Sequence, residues 1–312
     1  MKTKYLIGKL IVLIALLVLS CKKEGIESPE FDVTAEKSTF KVGDTATFNM
    51  QGDPDNVYFY SGEYLNEYAY ANGRSLEIKS FNASFQSRVA NGNQANQLSV
   101  FVSNDFNGKF DIASIKAGNF IDITNKFTLG SVNAVYAGSG AVDLSPYVND
   151  KTKPVYFAFR YSVKPQTPAN GTVRTWTIRD FAFNTITDQG PRVAADQLTA
   201  AWTLVEAGAI LDPGRSSINT SSGQLTLRGN ASAEGKLLDT EHWAVSKAIS
   251  LNTINLGPDR SIPIKSLAET LPSVYKYIYT KPGTYKATFV TSNERIDGKK
   301  TALKEITITV TP

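Results

Sequence analysis

The chain holds one histidine and one cysteine, so a catalytic triad or a zinc site would have to rest on His242. His242 stands in Glu241-His242-Trp243-Ala244, just before an expected strand and without a nucleophile motif, and reads as a surface or boundary histidine. The patterns Gly-x-Ser-x-Gly, His-Glu-x-x-His and the P-loop are missing from the sequence. The remaining acid–base groups are carboxylates, of which Asp105, Asp122, Asp143 and Asp180 fall in the central part. A glycosidase needs two such groups several ångströms apart. Each of the four also suits a turn or a strand edge, so a glycan hydrolase is the lesser expectation and no catalytic residue is assigned.

Two other sets could bind rather than react. Asn104-Asp105-Phe106-Asn107-Gly108 is rich in oxygen. Calcium takes about six to eight oxygens, and Asn104, Asp105 and Asn107 offer three side chains besides carbonyls. A structural calcium is thus one reading; an Asn-Gly turn joining two strands is the favoured one. No other cofactor is implied. Aromatic rings form the second set. Trp176 alternates with Ile178, and Trp202 follows Ala200-Ala201, so both are expected in the core. Tyr58, Tyr60, Tyr64, Tyr68 and Tyr70 lie in a polar, glycine-containing stretch and are the candidate ligand-binding rings, with internal packing as the competing reading.

Cys21 carries a different chemistry. Lys2, Lys4 and Lys9 precede or flank an apolar run from Leu10 to Leu19 that ends at Val18-Leu19-Ser20-Cys21. The run is short for a bilayer span, which takes about 20 apolar residues. Its end looks like a bacterial lipobox, which implies cleavage before Cys21 and lipid on its sulfur and new amino group. Stable anchoring takes more than one acyl chain, and lipoprotein processing supplies two or three. The partner implied is therefore a membrane. With Cys21 so used, no disulfide and no cysteine-based metal site is expected. The net charge of +4 falls to +1 once the three signal lysines leave, and no basic block suggests nucleic acid.

The elements that must position these residues read as strands. Thr45-Ala46-Thr47-Phe48-Asn49-Met50 alternates, placing Ala46, Phe48 and Met50 on one face. Val57-Tyr58-Phe59-Tyr60 follows a turn at Gly52-Asp53-Pro54-Asp55-Asn56. Strands so few do not make a stable sheet. Partners stand at the other end: Tyr275–Tyr279, Thr284–Val290, and Lys304–Val310 with Ile306, Ile308 and Val310 on one face. Between them come Leu76–Phe81, Gln97–Ser103, Phe120–Thr124, Val142–Tyr147, Lys153–Tyr161, Thr175–Phe183, Trp202–Val205 and Gln224–Arg228. Short strands with turns between them predict sandwiches rather than βαβ units.

Val42-Gly43-Asp44-Thr45-Ala46-Thr47-Phe48 and Pro282-Gly283-Thr284-Tyr285-Lys286-Ala287-Thr288-Phe289-Val290 together resemble the opening and close of a PKD- or immunoglobulin-like sandwich. The two halves that carry them, 30–75 and 245–312, are separated by roughly 170 residues, which implies an inserted domain. The set Leu98–Gly108, Val142–Tyr147, Pro154–Tyr161 and Trp176–Phe181 resembles the jelly-roll, galactose-binding-like modules of Bacteroidetes surface lipoproteins, including the "choice-of-anchor" type. From about Pro29 to Pro312 the chain resembles the DUF5017 family of lipoproteins, often encoded near glycan-uptake machinery, for which no reaction is established.

The expected fold is all-β. A signal peptide covers 1–20 and a tether 21–29. An Ig/PKD-like sandwich is built from 30–75 and 245–312, and a jelly-roll-like sandwich from 76–244. The lipobox, the absent catalytic set and the context that the resemblance implies together lead to the expectation of a non-catalytic, lipid-anchored outer-membrane protein that binds polysaccharide or oligosaccharide, beside an outer-membrane transporter complex. The alternative is a structural or adhesive surface protein that recognises another protein. Lys22-Lys23-Glu24 after the cysteine is less acidic than export to the outer face favours. The cell surface is nonetheless preferred over the periplasmic face.

Overall fold

The alternation in Thr45–Gly52 is realised as an eight-residue strand that buries Ala46, Phe48 and Met50. This computed structural model describes residues 25–312; the signal peptide, Cys21 and the first part of the tether lie outside the described residues. The chain divides into two units: Met1–Arg74 with Leu256–Pro312, and Ser75–Asn255.

The first unit is a sandwich whose two ends of chain share both sheets. In the three-stranded sheet, Thr45–Gly52 lies between Phe31–Ala35 and Val274–Ile278. The five-stranded sheet runs Ile262–Lys265, Asn56–Tyr60, Gly283–Arg295, Gly298–Thr311, Thr39–Lys41. Phe289 stands opposite Phe59 in register, and Thr39 pairs in parallel with Thr309. Phe48 reaches across from the other sheet to Phe59 and Phe289, with ring centroids 5.6 and 5.2 Å away. That aromatic cluster, with Met50, Val57, Ile308 and Val310, is the core. Apolar burial of this kind is the main force holding such sheets face to face.

The second unit is also a sandwich. Its larger sheet is centred on Ser80–Ala90 and Thr175–Thr187, with Val142–Asp143, Leu225–Leu227 and Ser217–Ile218 continuing the order and Tyr136–Gly138 and Gly190–Asp196 pairing beside them. Its smaller sheet runs Thr203–Gly208, Thr240–Val245, Tyr156–Val163, Leu98–Ser103, Ile121–Asp122. Phe85 meets Phe159 edge-on at 4.9 Å, and Phe157, Phe181 and Trp202 complete the packing. A six-residue helix, Ile112–Ala117, covers the outer face of the smaller sheet through Ile115, over Phe101, Tyr156 and Trp243.

Three expectations need correction. The return junction lies at 255/256 rather than 244/245, because Val245 pairs with Ala158 and Thr203, and Ile249 and Leu251 sit in the core of the second unit. Asn104–Gly108 does not turn one strand into the next; it leads into the helix, whose N-cap Asp111 accepts a hydrogen bond from Ser114 N. His242 is neither at the surface nor before a strand. It lies within Thr240–Val245 and is 2% exposed, its ring 5.6 Å from that of Tyr161.

One strand would read differently without a bulge. Trp176, Ile178 and Asp180 share a period-two face, so a regular strand would point Asp180 into the core. Between the pairs Arg179–Gln86 and Ala182–Ser84, Thr175–Thr187 carries one extra residue. Asp180 takes it up with φ of 54° and stays exposed, while Phe181 and Phe183 turn inward.

Candidate functional site

At one end of the second unit the amide-rich loop Asn91-Gly92-Asn93-Gln94-Ala95-Asn96-Gln97 lies against the start of Thr175–Thr187. Asn93 and Gln94 donate their backbone N–H to Thr172 O. Gly92 makes that approach possible: it has φ of 51°, and a β-carbon on it would lie 2.3 Å from Val173 O. Two adjoining cavities open here, of about 440 and 320 Å³, and share Ser131 and Arg174 in their walls. Small-molecule sites run from about 300 to 1,000 Å³. The larger cavity is also lined by Gln94, Gln97, Asp122, Thr124 and Trp176, the smaller by Asn91 and Asn133.

The lining is held in place before any ligand arrives. Gln97 and Gln94 are 1% and 4% exposed. Gln97 Nε2 donates to Gln94 Oε1 at 2.9 Å, and Gln94 is fixed in turn to the backbone of Lys164 at both N and O. Gln97 Oε1 accepts Arg174 N at 3.0 Å, and the hydroxyl of buried Tyr161 donates to Arg174 O at 2.7 Å. Burial pushes that phenol well above its ordinary range, so it stays a donor. Arg174 is therefore gripped at both of its backbone groups, and its guanidinium projects from a rigid base. Asp122 Oδ1 accepts Thr124 N at 2.9 Å, and Thr124 Oγ1 accepts Val100 N at 2.8 Å.

Two buried donors on this wall are unpaired. Among the described residues, Trp176 Nε1 and Arg174 Nε have no hydrogen-bond acceptor. A buried N–H left unmade costs roughly 1–3 kcal/mol; both atoms lie just under the cavity wall, and a small shift of that wall would let a ligand oxygen reach either one and recover that cost. The site offers N–H donors from Arg174 and Trp176, a carboxylate acceptor at Asp122, and the amides of Asn91 and Asn133 nearby. Asn133 Oδ1 accepts Asn91 N at 2.9 Å. Its chemistry suits a neutral ligand dense in hydroxyl groups, each of which both gives and takes a hydrogen bond.

The residues singled out from sequence fall elsewhere, with one exception. Asp122 lines the larger cavity; Asp105, Asp143 and Asp180 do not. Asp105 is bound to Lys153 at 2.9 Å, which holds its carboxyl below the usual range. Asp143 Oδ1 accepts Ser145 N, and Asp180 pairs with Arg179. In the loop proposed for calcium, Asn104 Oδ1 accepts Asp150 N and Asn107 Oδ1 accepts Lys109 N, while Lys153 puts a cation against Asp105. Among the described residues, no group of three or more His, Cys, Asp or Glu could hold a metal.

The five tyrosines are in the first unit. Tyr70 and Tyr64 lie 3.6 and 5.0 Å from the guanidinium carbon of Arg74, and Tyr60 meets Tyr68 edge-on at 5.4 Å. Tyr58 is half-buried on its strand. Tyr68 lines a cavity of about 300 Å³ with Lys286 and Glu305, which pair with each other at 3.1 Å. Rings at Tyr64 and Tyr70 are thus engaged by a cation of the chain itself.

His242 does no visible chemistry. Its Nδ1 is 3.0 Å from Glu206 Oε1, which makes Nδ1 the protonated nitrogen of the neutral ring. Burial holds the imidazole below its ordinary pKa against the opposing pull of Glu206.

Sequence reasoning placed Trp176 in the core, where it is 7% exposed, but missed its Nε1 and the neighbouring Arg174. The available signal was the loop 91–97, with five amide side chains in seven residues. Neither a curated protein nor a solved structure matches this chain. The family described as a domain of unknown function, DUF5017, matches residues 20–202, more than half of the length, and the match takes in the cleft loop, Arg174 and Trp176 but stops short of the C-terminal strands. The chain therefore belongs to the DUF5017 family.

Proposed function

We propose that this chain is a non-catalytic lipoprotein of the outer membrane that holds an oligosaccharide in the Arg174–Trp176 cleft. In this reading it serves as an accessory protein to polysaccharide uptake, anchored through lipid on Cys21 and facing the cell exterior. The observation that carries the binding role is the pre-ordered polar cleft with two unpaired buried N–H donors. Flat amide, carboxylate and guanidinium groups can each span neighbouring sugar hydroxyls, and the bonds that fix the Asp122 carboxylate, the Asn133 amide and the Arg174 backbone reduce the entropy that binding must remove. The binding role is favoured over hydrolysis because Asp122 alone of the four candidate carboxylates lines the cleft, whereas a glycosidase needs two that converge.

The test is calorimetry against a panel of neutral oligosaccharides, with Arg174→Ala and Trp176→Phe. A charged hydrogen bond contributes about 1.5–3 kcal/mol, so Arg174→Ala should weaken binding by roughly ten- to a hundredfold. Trp176→Phe keeps the ring packing and removes the N–H, and should weaken binding several-fold with little change in melting temperature. Absence of binding across the panel, or binding that neither variant alters, would refute the reading.

A further inference from the structure

The chain enters the first unit beside the tip of its longest hairpin. Gly283–Arg295 and Gly298–Thr311 pair along their whole length, and Ile296 and Asp297 form the turn. Turns of this length favour Gly, Asn, Asp, Ser or Pro. Here the first turn residue is an isoleucine at 110% relative exposure, as open to solvent as a side chain can be. The segment leading from the tether is fixed at this same place. Asn293 Nδ2 donates to Glu27 O at 3.2 Å, and Ile26 Cδ1 lies 3.1 Å from where a β-carbon on Gly298 would stand.

Five steps along the chain lead from Cys21 to Ile26, and they can span at most about 18 Å. A lipid on Cys21 would therefore keep the hairpin tip within about 18 Å of the membrane surface, close enough for contact. We infer that the tip is a second membrane contact, with Ile296 entering the headgroup layer of the bilayer in which Cys21 is anchored. The inference rests on the reading of Cys21 as lipidated. Lys300 follows on the second strand, while Lys299 is paired with Glu294 across the hairpin, and a long basic side chain such as that of Lys300 can lay its stem along apolar surface while its end stays with headgroups. Two attachment points would fix the orientation of the first unit, whereas the tether alone would leave it to swing.

The experiment uses the full-length acylated protein in vesicles of phosphatidylethanolamine and phosphatidylglycerol. Because acylation occupies the sulfur of Cys21, a thiol introduced by Ile296→Cys is the one site for an environment-sensitive fluorophore. Lys281→Cys, an exposed position at the far end of the thirteen-residue strand, is about 40 Å from the tip and serves as the control. The label at 296 should shift its emission to the blue and be quenched by nitroxide-bearing lipids; the label at 281 should do neither. A water-like, unquenched signal at 296 on protein whose Cys21 is acylated by mass spectrometry overturns the inference and leaves the anchor standing. A blue shift without lipid quenching assigns the tip to a protein contact and also overturns it. An unmodified Cys21 removes the anchor reading, and the inference with it.

Discussion

Replacing Arg74 by methionine should unfold the first unit far more easily, and the reason is the charge left behind. The Arg74 side chain is 7% exposed and that of Asp259 is 0% exposed. Arg74 Nε and Nη2 meet Asp259 Oδ1 and Oδ2 at 2.8 and 2.6 Å, Nη2 also reaches Glu67 Oε1 at 2.7 Å, and Asp259 accepts Glu67 N at 2.8 Å. Burial by itself would raise the Asp259 pKa; the hydrogen bonds from Arg74 and Glu67 N outweigh it and hold the carboxyl below its usual range. Arg74→Met strands that carboxylate, which costs about 3–5 kcal/mol, and lowers the melting temperature on the order of 10–20 °C. Arg74→Met combined with Asp259→Leu removes both charges and should cost less than either single change. The assay separates the units: Trp176, Trp202 and Trp243 all lie in Ser75–Asn255, so tryptophan fluorescence follows the inserted unit alone, while circular dichroism follows both. The loss should appear in circular dichroism and leave the tryptophan transition in place. A loss under 1 kcal/mol, or a double variant as unstable as the sum of the singles, would refute the argument. The same pair has a pH signature. Because the folded pKa of Asp259 is depressed, its contribution is complete above the unfolded value near 4 and fades as pH falls through the folded one.

Other consequences are simpler to measure. His242 is held below the unfolded value near 6.5, so the unfolded chain takes up its proton first and stability should fall as pH drops below about 6.5; urea midpoints at pH 7.5 and 5 should differ, and the difference should shrink in His242→Gln. Asp180→Gly should be neutral or mildly stabilising while Asp180→Val costs about 1–2 kcal/mol, since a β-branched residue resists the left-handed φ of 54°. Gly92→Ala should destabilise the inserted unit and abolish ligand binding together, because its β-carbon meets Val173 O and Thr172 O; binding that survives at full strength would show that the loop is not part of the site. Calcium and EDTA should give superimposed melts, because the oxygens of Asn104, Asp105 and Asn107 already have partners on the chain.

The sandwiches were legible where one face is apolar and the other polar. Ala46, Phe48 and Met50 announce their strand, and so do Ile308 and Val310, because a period of two with large side chains has one burial solution. Ser80–Ala90 is as regular, burying every second residue, yet only its first residues were read, since Ala83 and Ser87 are small and weaken the contrast. The helix Ile112–Ala117 is too short to show a period. Its caps, Asp111 before and Gly118 after, were the readable marks. The inserted unit's late boundary was hidden because 246–253 form no strand and pair with the second unit through the isolated bridge of Val155 with Ile249.

The cleft was hidden for a different reason. A catalytic motif is legible when one short segment carries several reacting groups at fixed spacing. Here the wall is assembled from 91–99, 122–133 and 174–176, three segments that meet only because Leu98–Ser103 and Thr175–Thr187 begin at the same end of the sandwich. Amides carry no charge and no reactivity, so each one alone reads as loop. What distinguishes Gln94 and Gln97 from ordinary loop amides is burial with complete hydrogen bonding, which orders Arg174 without touching a ligand. Gln97→Leu therefore tests whether pre-ordering matters. It should leave the Arg174 side chain in place in the sequence yet weaken oligosaccharide binding as Arg174→Ala does, through a faster off-rate. If Gln97→Leu folds with an unchanged melting temperature and unchanged affinity, the rigid platform under Arg174 plays no part in binding.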